Sequence, residues 1–228
     1  MNQIESTKAQ EGLNSFYAKI YGFLALGIGI SAVISYLILN VFYFEMVMFL
    51  YQYPYAFMGL WIVEIALVIF LGMKAQKNPP LAIGGFIAYS AINGVTLAVT
   101  LAMYTEATVV SAFVSAASTF GCMAIVGVLT KKDLSGMGRA LLTALIGIIV
   151  AMLLNLFFFN SGPMDYVISI LMVLIFSGLT AYDNQRIRTI YFATNGTAGN
   201  GIAVYMALQL YLDFINLFLA FLRIFGKK

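Results

Sequence analysis

The sequence predicts an all-α integral membrane protein with seven spans, and composition, uncharged runs and loop charges support this prediction. Of its 228 residues, 62% are hydrophobic and 9% are charged, whereas soluble domains are about 25% charged. Such a chain cannot cover itself with polar surface, so the lipid bilayer is its first expected partner. The connections between apolar runs are short, so we expect one membrane domain over residues 1–228. No feature of the sequence indicates a nucleic-acid partner.

Seven runs almost free of charge mark the predicted spans, because a membrane-spanning helix needs about 20 apolar residues. A polar segment of about residues 1–19 precedes the first run, and turn signals rich in Gly, Pro, Ser and Asn separate several of the others. The runs cover about Ile20 to Phe44, Tyr55 to Met73, Leu81 to Tyr104, Ala107 to Thr130, Ala140 to Phe159, Tyr166 into the Tyr182-Asp183 region, and Ile202 to Phe225.

Basic residues collect on alternate connections, which predicts by the positive-inside rule that the N terminus is cytoplasmic. They are Lys8, Lys19, Lys74, Lys77, Lys131, Lys132, Arg139, Arg186 and Arg188. The connections between them carry only Glu45, Glu106 and Asp165. Lys227 and Lys228 do not fit, because seven full spans place them outside. A final segment that re-enters and returns to the cytoplasm is the alternative, and seven spans is preferred.

The chain has no histidine and one cysteine, Cys122, which removes several kinds of site. Imidazole metal sites, thiolate clusters and a serine intramembrane protease that needs histidine are excluded, and no cofactor is expected. Any pH response near neutrality must come from carboxylates. Two membrane aspartates also occur in intramembrane aspartyl proteases. Here, however, the second aspartate lacks the glycine-containing motif of those enzymes, so we do not expect an enzyme.

The two aspartates, Asp183 and Asp213, lie in the last two apolar segments, where an ionisable group costs roughly 2.5 kcal/mol or more. The flexible stretch 195–201 reads as the turn between these segments, and its centre, Ala198, is fifteen residues from each aspartate. Antiparallel helices leaving that turn place both carboxylates at the same height, about 16 Å from it. Two such acids in a low dielectric share a proton, which makes a proton-sensitive site the leading hypothesis.

Each aspartate also has a simpler interpretation. In the first alternative, Asp183 marks the solvated cytoplasmic end of the sixth helix, beside Arg186 one turn on. Asp213 is a single buried carboxylate satisfied by hydrogen bonds in the second. The matched spacing about the turn favours the paired interpretation over both.

Two further charges lie inside apolar segments, Glu64 in the second and Arg223 near the end of the seventh. An ion pair between them would lower the cost of both, because a buried charge persists mainly when it is partnered. An Arg223 that extends to the membrane surface is an equally good interpretation.

The last two segments resemble the Bax inhibitor-1 family, also called the transmembrane BAX inhibitor motif family. The resemblance rests on Phe176-Ser177-Gly178-Leu179-Thr180-Ala181-Tyr182-Asp183-Asn184-Gln185-Arg186-Ile187 and on Ala207-Leu208-Gln209-Leu210-Tyr211-Leu212-Asp213-Phe214-Ile215-Asn216-Leu217-Phe218-Leu219, with Glu64 and Arg223-Ile224-Phe225-Gly226 at matching places. It implies a seven-helix bundle whose C-terminal helix is central and wrapped by the other six. The short N terminus resembles bacterial members, which implies a bacterial plasma membrane.

The resemblance also implies a function, a pH-sensitive calcium leak in which calcium is the transported ion. Asp183 and Asp213 match the family's di-aspartyl sensor and are the expected calcium ligands. A basic latch on the aspartates is implied as well, for which Lys74, Lys77 and Arg186 are the candidates. Glu64 and Arg223 match positions that tie the second and last helices together in relatives.

Two other functions stay open from the sequence. A proton-coupled cation exchanger would use the same acids, alternating between a proton and a cation. A non-conducting regulatory protein would bind other membrane proteins, such as proteases or cell-death regulators.

Overall fold

A computed structural model describes residues 3–226 of the chain, with side chains from residue 7 onward. Every regular element within that range is a helix. In chain order they are α1 (Gln3–Asn40), α2 (Tyr43–Gln52), α3 (Ala56–Lys74), α4 (Pro79–Leu101), α5 (Glu106–Leu129), α6 (Ser135–Leu154) followed by a π-helical turn (Asn155–Phe159), α7 (Gly162–Ala193) and α8 (Asn200–Phe225).

The prediction of an all-α membrane protein with seven spans is confirmed. In the described part of the chain, seven helices are long and apolar enough to cross a membrane. They are α1 and α3 to α8, and their bounds follow the predicted runs. The short helix α2 was not predicted, because all but its first two residues fall in the predicted connection between the first and second runs. Lys227 and Lys228 lie outside the described residues, so the side of the C terminus stays a prediction.

The helix α1 begins much earlier than predicted, since the polar N-terminal segment continues without a break into the first span. At 1.5 Å per residue its 38 residues measure about 57 Å, nearly twice a bilayer core of about 30 Å. The extension is held by side chains. Leu13 and Phe16 are buried, the ring of Phe16 lies 5.7 Å from that of Tyr191, and Lys19 Nζ donates to Asn200 Oδ1 at 2.9 Å.

The helix α7 also runs further than predicted, ten residues beyond Asp183 to Ala193. Its final turns carry charges that suggest a loop when only composition is considered. They stay helical because Ile187 and Tyr191, four residues apart, are buried on one face. Asp183 therefore lies within a helix and not at its end.

The connection from α6 to α7 is fixed by Asn155, which is buried at the start of the π-helical turn. Its Nδ2 donates to Asp165 Oδ1 at 2.6 Å and to Ser161 O at 3.1 Å, while its Oδ1 accepts from Ser161 N at 3.0 Å. Asn160 then takes a left-handed conformation, with φ of 46°. This turn is thus a closed polar network in which Asp165 is already bonded.

The chain divides into two compact units. One comprises Met1–Tyr104 with Tyr191–Leu208, and the other Thr105–Ile190 with Gln209–Lys228. The single membrane domain stays a prediction. Helix α8 has the largest buried share of the seven spans, 67% of its most apolar window, whereas α3 and α6 have 6%. This burial is the feature expected of a central helix, and the central position of α8 stays a prediction.

Candidate functional site

The two aspartates are buried within membrane helices of the same compact unit, Asp183 on α7 and Asp213 on α8. Asp183 is 5% exposed and Asp213 is 4% exposed. The interpretation of Asp183 as a solvated helix end is therefore wrong: the helix continues past it and the surrounding side chains exclude solvent. The two carboxyl groups are close enough to interact electrostatically.

The hydrogen-bonding of Asp213 is incomplete. Among the described residues, its Oδ2 is buried and has no hydrogen-bond partner. Buried polar atoms are nearly always bonded, and leaving one unpaired costs about 1–3 kcal/mol or more for a charged group. This result disfavours the interpretation of Asp213 as a single carboxylate satisfied by hydrogen bonds, and such an exception in a native structure calls for an explanation.

A cation accompanies the aspartates. Arg186 follows Asp183 by one helical turn, and its Nη1 lies 3.9 Å from Asp183 Oδ1. The arginine side chain is 37% exposed while that of Asp183 is 7% exposed, so this ion pair joins the buried site to the surface. Arg186, one of the three candidate latch residues, thus lies beside an aspartate. Lys74 and Lys77 are exposed at the end of α3 and in the following turn, and their role stays a prediction.

Close helix contacts fix the segment of α7 that carries Asp183. A Cβ atom added to Gly127 of α5 would collide with the backbone carbonyl of Ala181. One added to Gly138 of α6 would lie 2.6 Å from the ring of Tyr182. Because glycine leaves these positions empty, α5 and α6 approach α7 closely at the two residues that precede the aspartate.

A residue that the sequence did not single out, Gln185, ties the loop between α5 and α6 to the same part of α7. Its Nε2 donates to Thr130 O at 3.3 Å and to Lys132 O at 2.9 Å, and its Oε1 accepts from Leu134 N at 2.8 Å. The side-chain amide of Gln185, two residues after Asp183, thereby satisfies three backbone groups of the loop. The signal in the sequence was weak, namely a polar amide in an exposed-looking helix end.

The third acid in a membrane helix, Glu64 on α3, lies in the other unit and is half-buried. Its Oε1 accepts from Thr96 Oγ1 at 2.8 Å and from Asn93 Nδ2 at 3.2 Å, both on α4. Glu64 is therefore bonded to neutral groups on the neighbouring helix. This hydrogen bonding joins α3 to α4 within their unit.

Arg223 lies in the last turn of α8, where its Nη1 approaches Met172 Sδ at 3.8 Å. It is half-buried and not fully extended into water. The predicted ion pair between Glu64 and Arg223 stays a prediction.

The aspartate pair offers only a small set of ligands to a cation. Among the described residues, no group of three or more His, Cys, Asp or Glu side chains could hold a metal ion. Ca²⁺ takes 6–8 oxygen ligands at about 2.3–2.6 Å, so two carboxylates, with four oxygens between them, cannot complete its shell alone.

Comparisons with known proteins agree over nearly the whole chain. The family model described as "Inhibitor of apoptosis-promoting Bax1" matches residues 13–228. An uncharacterised membrane protein of Streptococcus pyogenes serotype M1 is 50% identical over 222 residues, which cover 97% of this chain and 96% of the relative. YrjE of Lactococcus lactis is 41% identical over 225 residues, covering 99% and 96%. The inner membrane protein YbhL of Escherichia coli K12 is 38% identical over 221 residues, covering 95% and 93%.

Proposed function

The chain belongs to the Bax inhibitor-1 family, and we propose that it is a pH-sensitive calcium leak gated by the buried pair Asp183 and Asp213. Calcium is the transported ion, and the protein performs transport and not catalysis. The host membrane is a bacterial plasma membrane. A relative described as an inner membrane protein supports this location.

One observation carries the proposal: two buried carboxyl groups of the same unit interact electrostatically, and a buried oxygen of one has no partner among the described residues. A membrane helix pays heavily for such an acid, so acids in these positions usually serve ion or proton pathways. A structural acid would instead be fully hydrogen-bonded, because that lowers its cost.

Protonation changes what the pair can do. When both carboxyls are ionised they repel each other, and their hard oxygens attract a divalent cation. When they share a proton, the repulsion is removed and the two helices can approach. The pair then titrates as one unit, and its behaviour belongs to neither residue alone.

Arg186 competes with the cation for Asp183. Its guanidinium lies 3.9 Å from the carboxylate and is partly exposed, so water can solvate the arginine when it leaves, whereas the buried carboxylate then needs another partner such as the cation. We propose that this ion pair acts as the latch on the closed state. A passing Ca²⁺ has a double charge and displaces the arginine only while both carboxyls are ionised.

The test is calcium flux in proteoliposomes that contain the purified protein and a calcium-sensitive dye. A leak moves Ca²⁺ down its gradient at every pH, at a rate that changes with pH, and needs no proton gradient. A proton-coupled exchanger accumulates Ca²⁺ against its gradient when a pH difference is imposed. Flux equal to that of empty liposomes at every pH would contradict both and favour the non-conducting regulator.

Orientation has a separate test. We propose a cytoplasmic N terminus, which places the loop between α5 and α6 on the cytoplasmic side. Cys122 is exposed and is replaced first. A cysteine introduced at Asp133 should then resist impermeant thiol reagents in intact cells and react after lysis. One introduced at Glu106 should react in intact cells, and the reverse result would overturn this orientation.

A further inference from the structure

The short helix α2 combines an apolar sequence with an almost complete lack of burial. Among its ten residues none is buried, although they include four aromatic side chains and a single charge. Met46 and Leu50, one turn apart, are its least exposed residues and mark the side that faces the protein. The other sides are covered by nothing in the described chain.

The exposed sides differ in chemistry. Glu45 and Gln52 are seven residues apart and therefore lie on one face of the helix, where they form a narrow polar stripe. Six other exposed side chains are apolar or aromatic. Tyr43 (51% exposed), Phe44 (71%), Val47 (43%), Met48 (50%) and Tyr51 (84%) form an apolar face on one side of the stripe, and Phe49 (51%) lies on its other side. An apolar face of this kind in water would be an aggregation liability.

Length and connections restrict where α2 can lie. Ten residues measure about 15 Å, half of a bilayer core, so the helix cannot cross the membrane. It follows the span α1 after two residues and precedes the span α3 by three residues. Both of its ends are thus held at the same membrane face.

The apolar face of α2 continues the exposed surface of the spans on either side. Tyr36 (65% exposed) on α1 and Val41 (59%) in the connection after it lead into α2, and Met58 (57%) and Trp61 (51%) follow it on α3. Side chains this apolar and exposed on membrane-spanning helices face lipid. The same lipid surface therefore extends to α2.

We propose that α2 is an interfacial helix that binds the bilayer itself, with its apolar face in the boundary between headgroups and acyl chains. The stripe of Glu45 and Gln52 faces the aqueous side. Tyrosines suit this depth because the ring is apolar and the hydroxyl reaches the headgroups. The inference does not depend on ion conduction, and it holds whether the face is the outer or the cytoplasmic one.

The chain contains one tryptophan, Trp61, which makes a fluorescence test direct. In a Trp61→Phe background, Phe44→Trp reports the apolar face and Gln52→Trp the polar stripe of the same helix. Each variant is reconstituted in phosphatidylcholine vesicles containing lipids brominated near the carbonyl end or near the methyl end of the chain. Wild-type Trp61, about 8 Å along α3 from its start, provides the deeper reference.

The expected result separates the three positions. Phe44→Trp emits at shorter wavelength than Gln52→Trp and loses most intensity with carbonyl-end bromine, whereas Trp61 is quenched more by methyl-end bromine. Gln52→Trp is quenched by aqueous iodide. Met48→Trp repeats the apolar-face measurement if Phe44→Trp does not fold.

Three outcomes would overturn the proposal. Equal iodide quenching at both positions of α2 would place the helix in water. Strongest quenching by methyl-end bromine at Phe44→Trp would place it in the bilayer core. Protection from both quenchers at that position would mean that protein, such as a second copy of the chain, covers the apolar face.

Discussion

The acids of α7 and α8 and the acid of α3 all lie in membrane helices, yet they differ in burial and in hydrogen bonding. Glu64 is half-buried, and one of its oxygens accepts two hydrogen bonds from α4. Asp183 and Asp213 are buried, interact with each other, and include an oxygen with no partner among the described residues. Glu64 thus has the features of a structural acid, whereas the aspartates are kept in a state that stability alone would not select.

The largest effect is expected from removing the acid of Asp213. Asp213→Asn keeps the shape but ends the repulsion that makes the pair share a proton, so calcium flux should become nearly flat between about pH 6 and pH 8. This loss of pH dependence is expected whether the flux settles at a high or a low level. Asp183→Asn should act in the same way, and the double change should add little because the pair works as a unit.

Thermal unfolding adds a second measurement to these variants. Since Asp213 is buried and incompletely bonded, Asp213→Asn should leave the unfolding midpoint in detergent unchanged or raise it. Glu106→Gln, at an exposed position of α5, is the matched control and should keep the wild-type pH profile. A pH response that survives in both aspartate variants would show that another carboxylate is the sensor.

The next effect concerns the support of Asp183. Gln185→Ala removes the amide that bonds Thr130 O, Lys132 O and Leu134 N, at a cost of about 1–3 kcal/mol in stability. Because the loop then no longer holds α7 beside Asp183, we expect the midpoint of the pH profile of calcium flux to shift as well.

Variants of the same residue separate position from simple stability. Gln185→Glu keeps the acceptor for Leu134 N but turns a carboxylate oxygen toward two carbonyls, so it should not restore the midpoint. Gln76→Ala, at an exposed glutamine, should change neither measurement. A lower unfolding midpoint with an unaltered pH profile would make Gln185 a structural residue only.

Some helices of the fold could be predicted from the sequence and others could not. Long uncharged runs predicted seven spans, because the bilayer sets their length and composition. The same runs did not reveal α2, since its residues from Glu45 onward lie in the predicted connection between the first two spans. The extensions of α1 and α7 were missed because they are held by side chains that meet only in the fold, such as Phe16 and Tyr191.

The residues of the candidate site were likewise predictable only in part. Asp183 and Asp213 could be singled out because charge is costly at membrane depth and because they are equidistant from one turn. Gln185 could not, since its value depends on three backbone groups of a loop that is 51 to 55 residues away in sequence. The contacts of Gly127 and Gly138 with α7 could not be predicted from the sequence either, because small residues occur throughout membrane helices.

A smaller effect is expected at Glu64. Glu64→Gln keeps an oxygen acceptor for Asn93 and Thr96, so the pH profile of calcium flux should match that of the wild type. Glu64→Leu removes the acceptor and should lower stability by about 1–3 kcal/mol, measured as a lower unfolding midpoint. If Glu64→Gln abolishes the pH response, the distinction between a structural and a sensing acid is wrong.

The smallest effect is expected at Asp133, an acid outside the membrane helices in the loop before α6. The side-chain and backbone hydrogen bonds of Ser135 lower the pKa of Asp133 from its ordinary value of 3.8, and Asp133 Oδ1 accepts from Ser135 N at 2.9 Å. A carboxyl whose pKa is lower in the folded than in the unfolded state stabilises the protein above the unfolded pKa. That stabilisation is lost as the pH falls through the folded pKa. Asp133→Asn should therefore lower the unfolding midpoint barely detectably at pH 7 and not at all in strong acid, because solvent screens this exposed group. Calcium flux should keep its wild-type pH profile throughout. A change in that profile would mean that the charge of Asp133, in the loop bonded to Gln185, affects the titration of the aspartate pair. The pair would then be less isolated from solvent than its burial indicates.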